Sequence, residues 1–234
     1  MIAAGRVQRR EGPCKLYVEG DDDKWAIQAL FQKRYGGRDE PSWSPEIHCC
    51  EGFENLTKTL KEELPTIVKN RRTLRLGVVV DADNQPVKRW EAVRKVLREV
   101  GIEFPELPSS GELVAEITAS LAPLTHVGLW VMPGQGRPGE LEHLLCQLVP
   151  AEDPVWRFAM EATAHACELG ARVRPAKIAK ANIHTWLAWQ HSPGDPFGTA
   201  LRNGSLNPKS AAADAFVDWF YRVFDTSKGG IPLT

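Results

Sequence analysis

Three segments near the start of the chain share one pattern, in which a short apolar run is followed by a turn and then by an amphipathic stretch of helical length. The apolar runs are residues 15–18, 47–50 and 74–80. A fourth run, residues 127–132, precedes a tight loop and another predicted helix. Strands that alternate with helices form parallel sheets whose faces are covered by the helices. The sequence therefore predicts an α/β fold with a mostly parallel sheet.

Beyond residue 150 the pattern changes to helices. We therefore predict an α/β domain at residues 1–150 and a helical C-terminal region, packed on it, at residues 151–234. Residues 193–208 are rich in Gly, Pro, Asn and Ser and are predicted as a long loop. Because proline lacks an amide hydrogen, the helix after the second strand is predicted to end at Pro65. The helices predicted in the C-terminal region are residues 155–169, 178–190 and 211–224.

The composition is that of an ordinary globular protein, with 43% hydrophobic and 25% charged residues. The formal net charge of -1 indicates neither a nucleic-acid nor a membrane partner, so any basic surface has to be local. No apolar run approaches the roughly 20 residues that a membrane span needs. Five cysteines, an odd number, and the lack of a secretory apolar segment favour reduced thiols. We expect a cytoplasmic protein with no membrane partner.

Acidic residues follow two of the predicted strands. Glu19 comes directly after the first strand, and Asp81 and Asp83 come after the third, two apart and so on one face in extended geometry. Parallel strands end at the same sheet edge, so we expect the three carboxylates to converge. Like charges about 4 Å apart repel by about 4 kcal/mol at a dielectric constant near 20, so the cluster needs a cation or raised pKa values. Oxygen ligands without cysteine or histidine favour Mg²⁺ or Mn²⁺.

Two sequence motifs support this site. The segment "CKLYVEGDDDK" resembles the glutamate motif of Toprim domains, and "LGVVVDADNQ" resembles their paired-aspartate motif, in the same order and about sixty residues apart. The segments "MPGQGRPGELEHLL" and "AKIAKANIHTWLAWQ" resemble a group of small stand-alone, nuclease-like Toprim-related proteins. The resemblance implies a Toprim-like, Rossmann-like fold over about residues 15–148, with the helical tail matched only to the smaller group.

The resemblance also implies roles for individual residues. Glu19 corresponds to the family glutamate, Asp81 and Asp83 to its metal-binding aspartates, and Asp23 to a supporting acid. Taken alone, Asp23 is equally explained by the helix dipole, which favours acids in a first helical turn. Glu142 is chosen as a further metal ligand on the smaller group's pattern, with compensation of the helix dipole as the alternative for it and for its neighbour Glu140.

Two lysines are predicted to supply positive charge to the reaction. Lys177 and Lys180 lie on one helix face with His184, at i, i+3 and i+7 spacing. Such cations stabilise the charge of a pentavalent phosphoryl transition state, and the alternative is a solvated helix face. The predicted catalytic residues are Glu19, Asp81, Asp83, Lys177 and Lys180. The predicted metal ligands are Glu19, Asp23, Asp81, Asp83 and Glu142.

The Toprim family contains topoisomerases, primases, small nucleases and nucleases that accompany ATPases in phage defence. The resemblance implies a divalent-metal-dependent nuclease or related phosphodiester-processing enzyme that acts on DNA or RNA, with an ATPase or another defence protein in trans. Topoisomerase activity is not expected, because no tyrosine lies in a recognisable motif. The leading alternative is a non-catalytic Toprim-derived nucleic-acid-binding or regulatory module. A third is a haloacid-dehalogenase-type phosphatase with Asp81 as nucleophile, although Asn84 replaces the expected threonine or valine.

Other patterns favour ordinary structural roles. Residues 134–139 fit the G-x-G-x-x-G dinucleotide pattern, but acids at the following helix start would repel a pyrophosphate. Glu140, His143 and Cys146 have zinc-ligand spacing but lack an evident fourth ligand. The aromatic residues of the last two predicted helices are expected to pack in the core. The basic residues expected in an exposed loop are Lys69, Arg71, Arg72 and Arg75.

Overall fold

The computed structural model describes residues 14–35, 44–70, 75–106, 114–118, 124–134 and 136–225. Within them the chain forms a sheet, helices on both of its faces, and a single 3₁₀ turn, Pro175–Lys177. The strands are β1 (Cys14–Val18), β2 (Glu46–Cys49), β3 (Arg75–Asp81), β4 (Val114–Thr118) and β5 (His126–Met132). The helices are α1 (Asp21–Tyr35), α2 (Phe53–Asn70), α3 (Pro86–Glu99), α4 (Leu141–Cys146), α5 (Pro154–Glu168), α6 (Ile178–Leu187), α7 (Phe197–Asn203) and α8 (Ala211–Phe224).

The sheet has the strand order β2-β1-β3-β5-β4. The first four strands in this order are parallel, and β4 pairs antiparallel with β5 at the edge. The prediction of an α/β, Rossmann-like, mostly parallel sheet with a helical C-terminal region is therefore confirmed, whereas β4 was not predicted. Because the four parallel strands run the same way, the segments that follow them meet at one edge of the sheet.

Alternating residues of the strands build two hydrophobic clusters, one on each face of the sheet. Leu16 and Val79 belong to the cluster that contains α1, α4, α6, α7 and α8. Tyr17 and Val78 belong to the other cluster, which contains α2 and α3. The first cluster joins residues from both sides of position 150. The proposed boundary between the two regions stays a prediction.

Two paired glycines make room for the last helix. Gly77 on β3 lies beside Gly128 on β5. A methyl group added at Gly77 would come within 2.5 Å of Phe224, and one at Gly128 within 2.3 Å of Val223, both on α8. The bare backbone at this pair therefore lets α8 lie directly on the sheet. The exposed loop expected at Lys69, Arg71, Arg72 and Arg75 is wrong for two of these residues. Lys69 lies in α2, and Arg75 is buried and donates a hydrogen bond of 2.8 Å to the carbonyl of Val223. Arg71 and Arg72 lie outside the described residues.

Two sequence-based expectations are wrong. Helix α2 does not end at Pro65 but continues to Asn70, because the apolar stripe continues through Ile67 while the proline ring faces solvent. The stretch 193–208 is not a continuous loop, because α7 lies within it and buries an apolar face of Phe197, Ala200 and Leu201. Within the described residues, no helix is long and apolar enough to cross a membrane.

Candidate functional site

Three chain segments meet at the carboxyl edge of the sheet through the side chains of Glu19 and Asp81. Glu19 follows β1, and its Oε1 accepts a hydrogen bond of 2.8 Å from the backbone amide of Asp81 at the end of β3. The Oδ1 atom of Asp81 accepts a hydrogen bond of 3.0 Å from the amide of Leu141, the first residue of α4. The two acids therefore connect β1, β3 and α4.

Asp23 lies in the first turn of α1, directly after this edge. Its side chain is 7% exposed, and its Oδ2 accepts a hydrogen bond of 2.9 Å from the amide of Gly20. This bond closes the turn between β1 and α1, as expected for an acid at a helix start. The same carboxylate also contributes to the electrostatics of Asp81. The hydrogen bond from Gly20 gives Asp23 a structural role, and its role as a metal ligand stays a prediction.

Asp83 is held differently from Asp81. The strand ends at Asp81, and Asp83 has a left-handed φ of 47°, so the two side chains do not share an extended face as the spacing predicted. The backbone of Asp83 forms two hydrogen bonds with Gly139, of 2.9 and 3.0 Å. Its carboxylate forms an ion pair with Arg89 on α3. The Arg89 guanidinium lies over the ring of Phe53, 3.9 Å from its centroid.

Two buried glutamates at the start of α4 each bind a lysine from the helical region. Glu140 is 6% exposed, and its Oε2 lies 2.5 Å from Nζ of Lys177. Glu142 is 5% exposed, and its Oε1 lies 2.7 Å from Nζ of Lys180. Burial alone would lower the pKa of Lys180, but its bond to Glu142 outweighs this and raises the pKa. Both predicted lysines therefore reach the acidic edge.

The acids perturb one another strongly. Burial, followed by the charges of Asp23 and Glu19, raises the pKa of Asp81 well above its ordinary value. Burial, opposed by the Gly20 amide bond, raises the pKa of Asp23 to about 7. Burial also raises the pKa of Glu19, although its bond from the Asp81 amide opposes this. Perturbed carboxyl groups of this kind occur at functional sites and at metal sites.

The charges of the edge do not balance. Asp83, Glu140 and Glu142 have basic partners. Glu19, Asp23 and Asp81 form no ion pair with any other residue that the structure describes. In that part of the chain, no group of three Asp, Glu, His or Cys side chains could hold a metal ion as the side chains stand. The zinc-like spacing of Glu140, His143 and Cys146 has another explanation, because His143 Nδ1 accepts a hydrogen bond of 3.1 Å from the Glu140 amide and Cys146 donates to the carbonyl of Ala179.

A groove of about 1150 Å³ opens beside the acidic edge. Its lining comes from the first turns of α2 and α3, from residues 138–140 and from the turn Pro175–Lys177. Asp83 and Glu140 lie on its wall, as do the cations paired with them. The groove therefore reaches the ion-paired acids of the edge, Asp83 and Glu140, whereas Glu19, Asp23 and Asp81 are not part of its lining.

A family model described as a protein of unknown function (DUF3226) matches residues 13–225. The chain belongs to the DUF3226 family. Neither the curated proteins nor the solved structures contain a match to it. The residues that match the DUF3226 model include both Glu19 and Lys180. The acids of the sheet edge and the lysines of the helical region therefore lie within the same family match.

In this DUF3226 chain the predicted site residues fall into two groups. Glu19, Asp23 and Asp81 influence one another directly, whereas Asp83, Glu142, Lys177 and Lys180 are engaged in ion pairs. Sequence reasoning did not select Arg89 or Phe53, and it preferred Glu142 over Glu140 although both are buried at the edge. The signal for Arg89 was its place in the first turns of a helix that begins at Pro86, just after the paired aspartates.

Proposed function

We propose that the chain is a divalent-metal-dependent phosphodiester hydrolase of Toprim type, with nucleic acid as its substrate. The observation that carries the proposal is the contact of Glu19 with the Asp81 amide, with Asp23 buried beside them. These three acids have no basic ion-pair partner among the described residues, and they lie at the carboxyl edge of a parallel sheet, where open α/β folds bind their ligands. Their mutual repulsion favours binding of a cation.

The donor set fits Mg²⁺ or Mn²⁺, because all of the converging side chains offer hard oxygen atoms. Glu19, Asp23 and Asp81 are the residues that would hold the ion. Asp83 and Glu142 would join them only after release from their basic partners. A bound divalent ion supplies Lewis-acid stabilisation of phosphoryl oxygens and lowers the pKa of water.

The chain's own residues have separate roles in this proposal. Glu19 is suited to hold a proton more tightly than an ordinary glutamate, since burial raises its pKa. Lys177 lies on the wall of the groove, where its charge can stabilise a developing phosphoryl dianion. Arg89 fixes the position of Asp83, and Lys180 does the same for Glu142. Each ion pair therefore places an acid at the sheet edge.

A hydrolysis assay tests the proposal. Labelled RNA, single-stranded DNA and duplex DNA are incubated with the protein in Mg²⁺, in Mn²⁺ and in EDTA, alongside bis(p-nitrophenyl) phosphate as a generic diester. We expect metal-dependent cleavage that falls at least about 100-fold in Asp81→Asn. The matched control is Asp218→Asn, an exposed aspartate on α8. Equal rates in the two variants would reject the assignment. Phosphate release from p-nitrophenyl phosphate alone would instead favour the phosphatase alternative.

One observation favours a second candidate, a non-catalytic nucleic-acid-binding or regulatory module. Lys177 and Lys180 already neutralise Glu140 and Glu142 without any added cation. A Toprim-derived fold that has lost its metal could be stabilised in this way. Affinity for nucleic acid without turnover of any substrate, in either metal, would support this candidate.

The Toprim resemblance adds two further elements to the proposal. An ATPase or another phage-defence protein would act with the chain in trans, and the protein would work in the cytoplasm. ATP-dependent stimulation of cleavage on mixing the two proteins is the result that supports the partnership. Unchanged cleavage with and without the partner and ATP would count against it.

A further inference from the structure

The groove beside the acidic edge has an asymmetric set of charges. Asp83 and Glu140 on its wall are neutralised by Arg89 and Lys177. Two more cations, Lys88 and Arg174, also line the groove, and neither forms an ion pair with any residue in the described ranges. Of the acids that line the groove, Glu54 forms no ion pair with any residue in the same ranges. The available charge on the walls is therefore basic.

The two available cations come from different elements of the groove lining. Lys88 is in the first turn of α3, and Arg174 directly precedes the turn Pro175–Lys177. Both are exposed, so their charged ends can meet a ligand without desolvation of a buried group. An anionic chain bound in the groove would meet both cations in the same lining as Asp83 and Glu140. This arrangement suits successive phosphates of one strand.

The lining of the groove also includes a flat surface. The ring of Phe53 and the guanidinium of Arg89 are stacked, with 3.9 Å between the guanidinium carbon and the ring centroid. Both residues line the groove. Aromatic rings and arginine planes are the surfaces on which unpaired bases stack in single-strand sites. A base inside a duplex has both faces covered and cannot use such a surface.

We propose that this groove binds single-stranded nucleic acid, with phosphates at Lys88 and Arg174 and a base stacked on the Phe53–Arg89 pair. The inference rests on the proposed function for its orientation toward the acids and deepens it by naming the substrate as a single strand. The volume of about 1150 Å³ supports this choice, because it is close to the upper size of small-ligand sites, about 1000 Å³, and holds a few nucleotides rather than a duplex.

Binding is measured by fluorescence anisotropy in EDTA, so that no metal-dependent cleavage takes place. The probes are labelled 12-nucleotide RNA and DNA single strands and the corresponding duplexes. We expect single strands to bind at least tenfold more tightly than duplexes. The double variant Lys88→Ala/Arg174→Ala should weaken single-strand binding at least tenfold and reduce the slope of log K against log salt by about 1.4, the value for two phosphate contacts. Phe53→Leu should weaken single-strand binding at least fivefold and leave duplex binding unchanged.

A matched control removes two exposed lysines outside the groove, Lys61 on α2 and Lys95 on α3. The inference is overturned if Lys61→Ala/Lys95→Ala weakens binding as much as the groove variant does, or if duplexes bind as tightly as single strands. Thermal unfolding of each variant checks that it is folded.

The experiments distinguish failure of the groove-binding proposal from failure of the hydrolase proposal. Asp81-dependent hydrolysis of bis(p-nitrophenyl) phosphate without single-strand binding would overturn the groove assignment and leave the hydrolase proposal standing. Groove-dependent single-strand binding without hydrolysis of any diester would overturn the hydrolase proposal and leave the groove assignment standing. RNA and DNA arms of the binding assay show which of the two strands the groove prefers.

Discussion

Replacing Asp81 with asparagine should stabilise the metal-free protein while it removes the proposed activity. Asp81 lies among like charges, and burial together with Asp23 and Glu19 raises its pKa. Asparagine has the same shape and keeps an oxygen that can accept the 3.0 Å hydrogen bond from the Leu141 amide. The substitution therefore removes a repelled charge and retains the contact that fixes α4.

Coulomb's law gives the order of magnitude of this effect. Glu19 Oε1 lies 2.8 Å from the amide of Asp81, so the two acids are neighbours. At an effective dielectric constant of about 20, like charges about 5 Å apart repel by about 3 kcal/mol. Partial protonation of the cluster reduces this, so we expect the free energy of unfolding to rise by about 1 to 2 kcal/mol. For a chain of this length the midpoint of thermal unfolding should rise by about 2 to 8 °C.

The effect should depend on pH. The pKa of Asp81 is raised in the folded protein relative to the unfolded chain, so the folded state binds this proton more tightly. Stability is then lost as the pH rises from the ordinary carboxyl pKa through the raised one. The advantage of Asp81→Asn should therefore be small near about pH 5 and should grow toward about pH 8.

Thermal unfolding followed by circular dichroism, in EDTA and in Mg²⁺ or Mn²⁺, measures both effects. The control Asp218→Asn should change the free energy of unfolding by less than about 0.5 kcal/mol. Metal should raise the unfolding midpoint of the wild type and leave that of Asp81→Asn unchanged, because the ion binds only the folded site. A variant less stable than the wild type in EDTA at about pH 8 would refute the electrostatic reasoning.

Three further substitutions test other contacts. Gly77→Ala should lower the free energy of unfolding by about 1 to 3 kcal/mol, since its methyl group would meet an α8 ring at 2.5 Å; urea unfolding measures it. Lys180→Met should lower the unfolding midpoint in EDTA because Glu142 stays buried without its partner, and Mg²⁺ should restore part of the loss. Tyr17→Phe removes the 2.5 Å hydrogen bond to Glu63 and should cost about 1 to 2 kcal/mol in urea unfolding. An unchanged free energy of unfolding in Gly77→Ala or Tyr17→Phe, or an unchanged unfolding midpoint in Lys180→Met, would contradict the corresponding contact.

The sheet could be predicted because its central strands β1, β3 and β5 are buried on both faces and therefore read as continuous apolar runs. The residues of β3 are buried throughout its first six positions, and those of β1 at all five. Helix α7 could not be predicted, because Pro196 and Gly204 flank it and composition alone favours a loop. Its buried Phe197, Ala200 and Leu201 nevertheless have helical spacing.

The candidate site was predictable in part for the same reason. Parallel strands fix which edge carries Glu19 and Asp81, so their proximity follows from the topology. Partners from distant segments do not follow from it. The pairing of Lys177 with Glu140 joins positions 37 residues apart, and nothing in the local pattern of either segment specifies the other. The left-handed backbone conformation of Asp83 could not be predicted from the sequence either, because aspartate also adopts ordinary extended conformations.

The ion pairs also determine what the helices after residue 150 contribute to the site. Glu140 and Glu142 belong to the α/β part of the chain, but their counter-charges come from Lys177 and Lys180. Removing the helical region would leave two nearly buried carboxylates without partners at an edge that already carries the excess charge of Glu19, Asp23 and Asp81, which is a costly arrangement. It would also uncover the sheet face on which α8 packs. An inactive fragment of residues 1–150 would therefore say nothing about the chemistry of the acids, and substitutions in the full chain are the appropriate test.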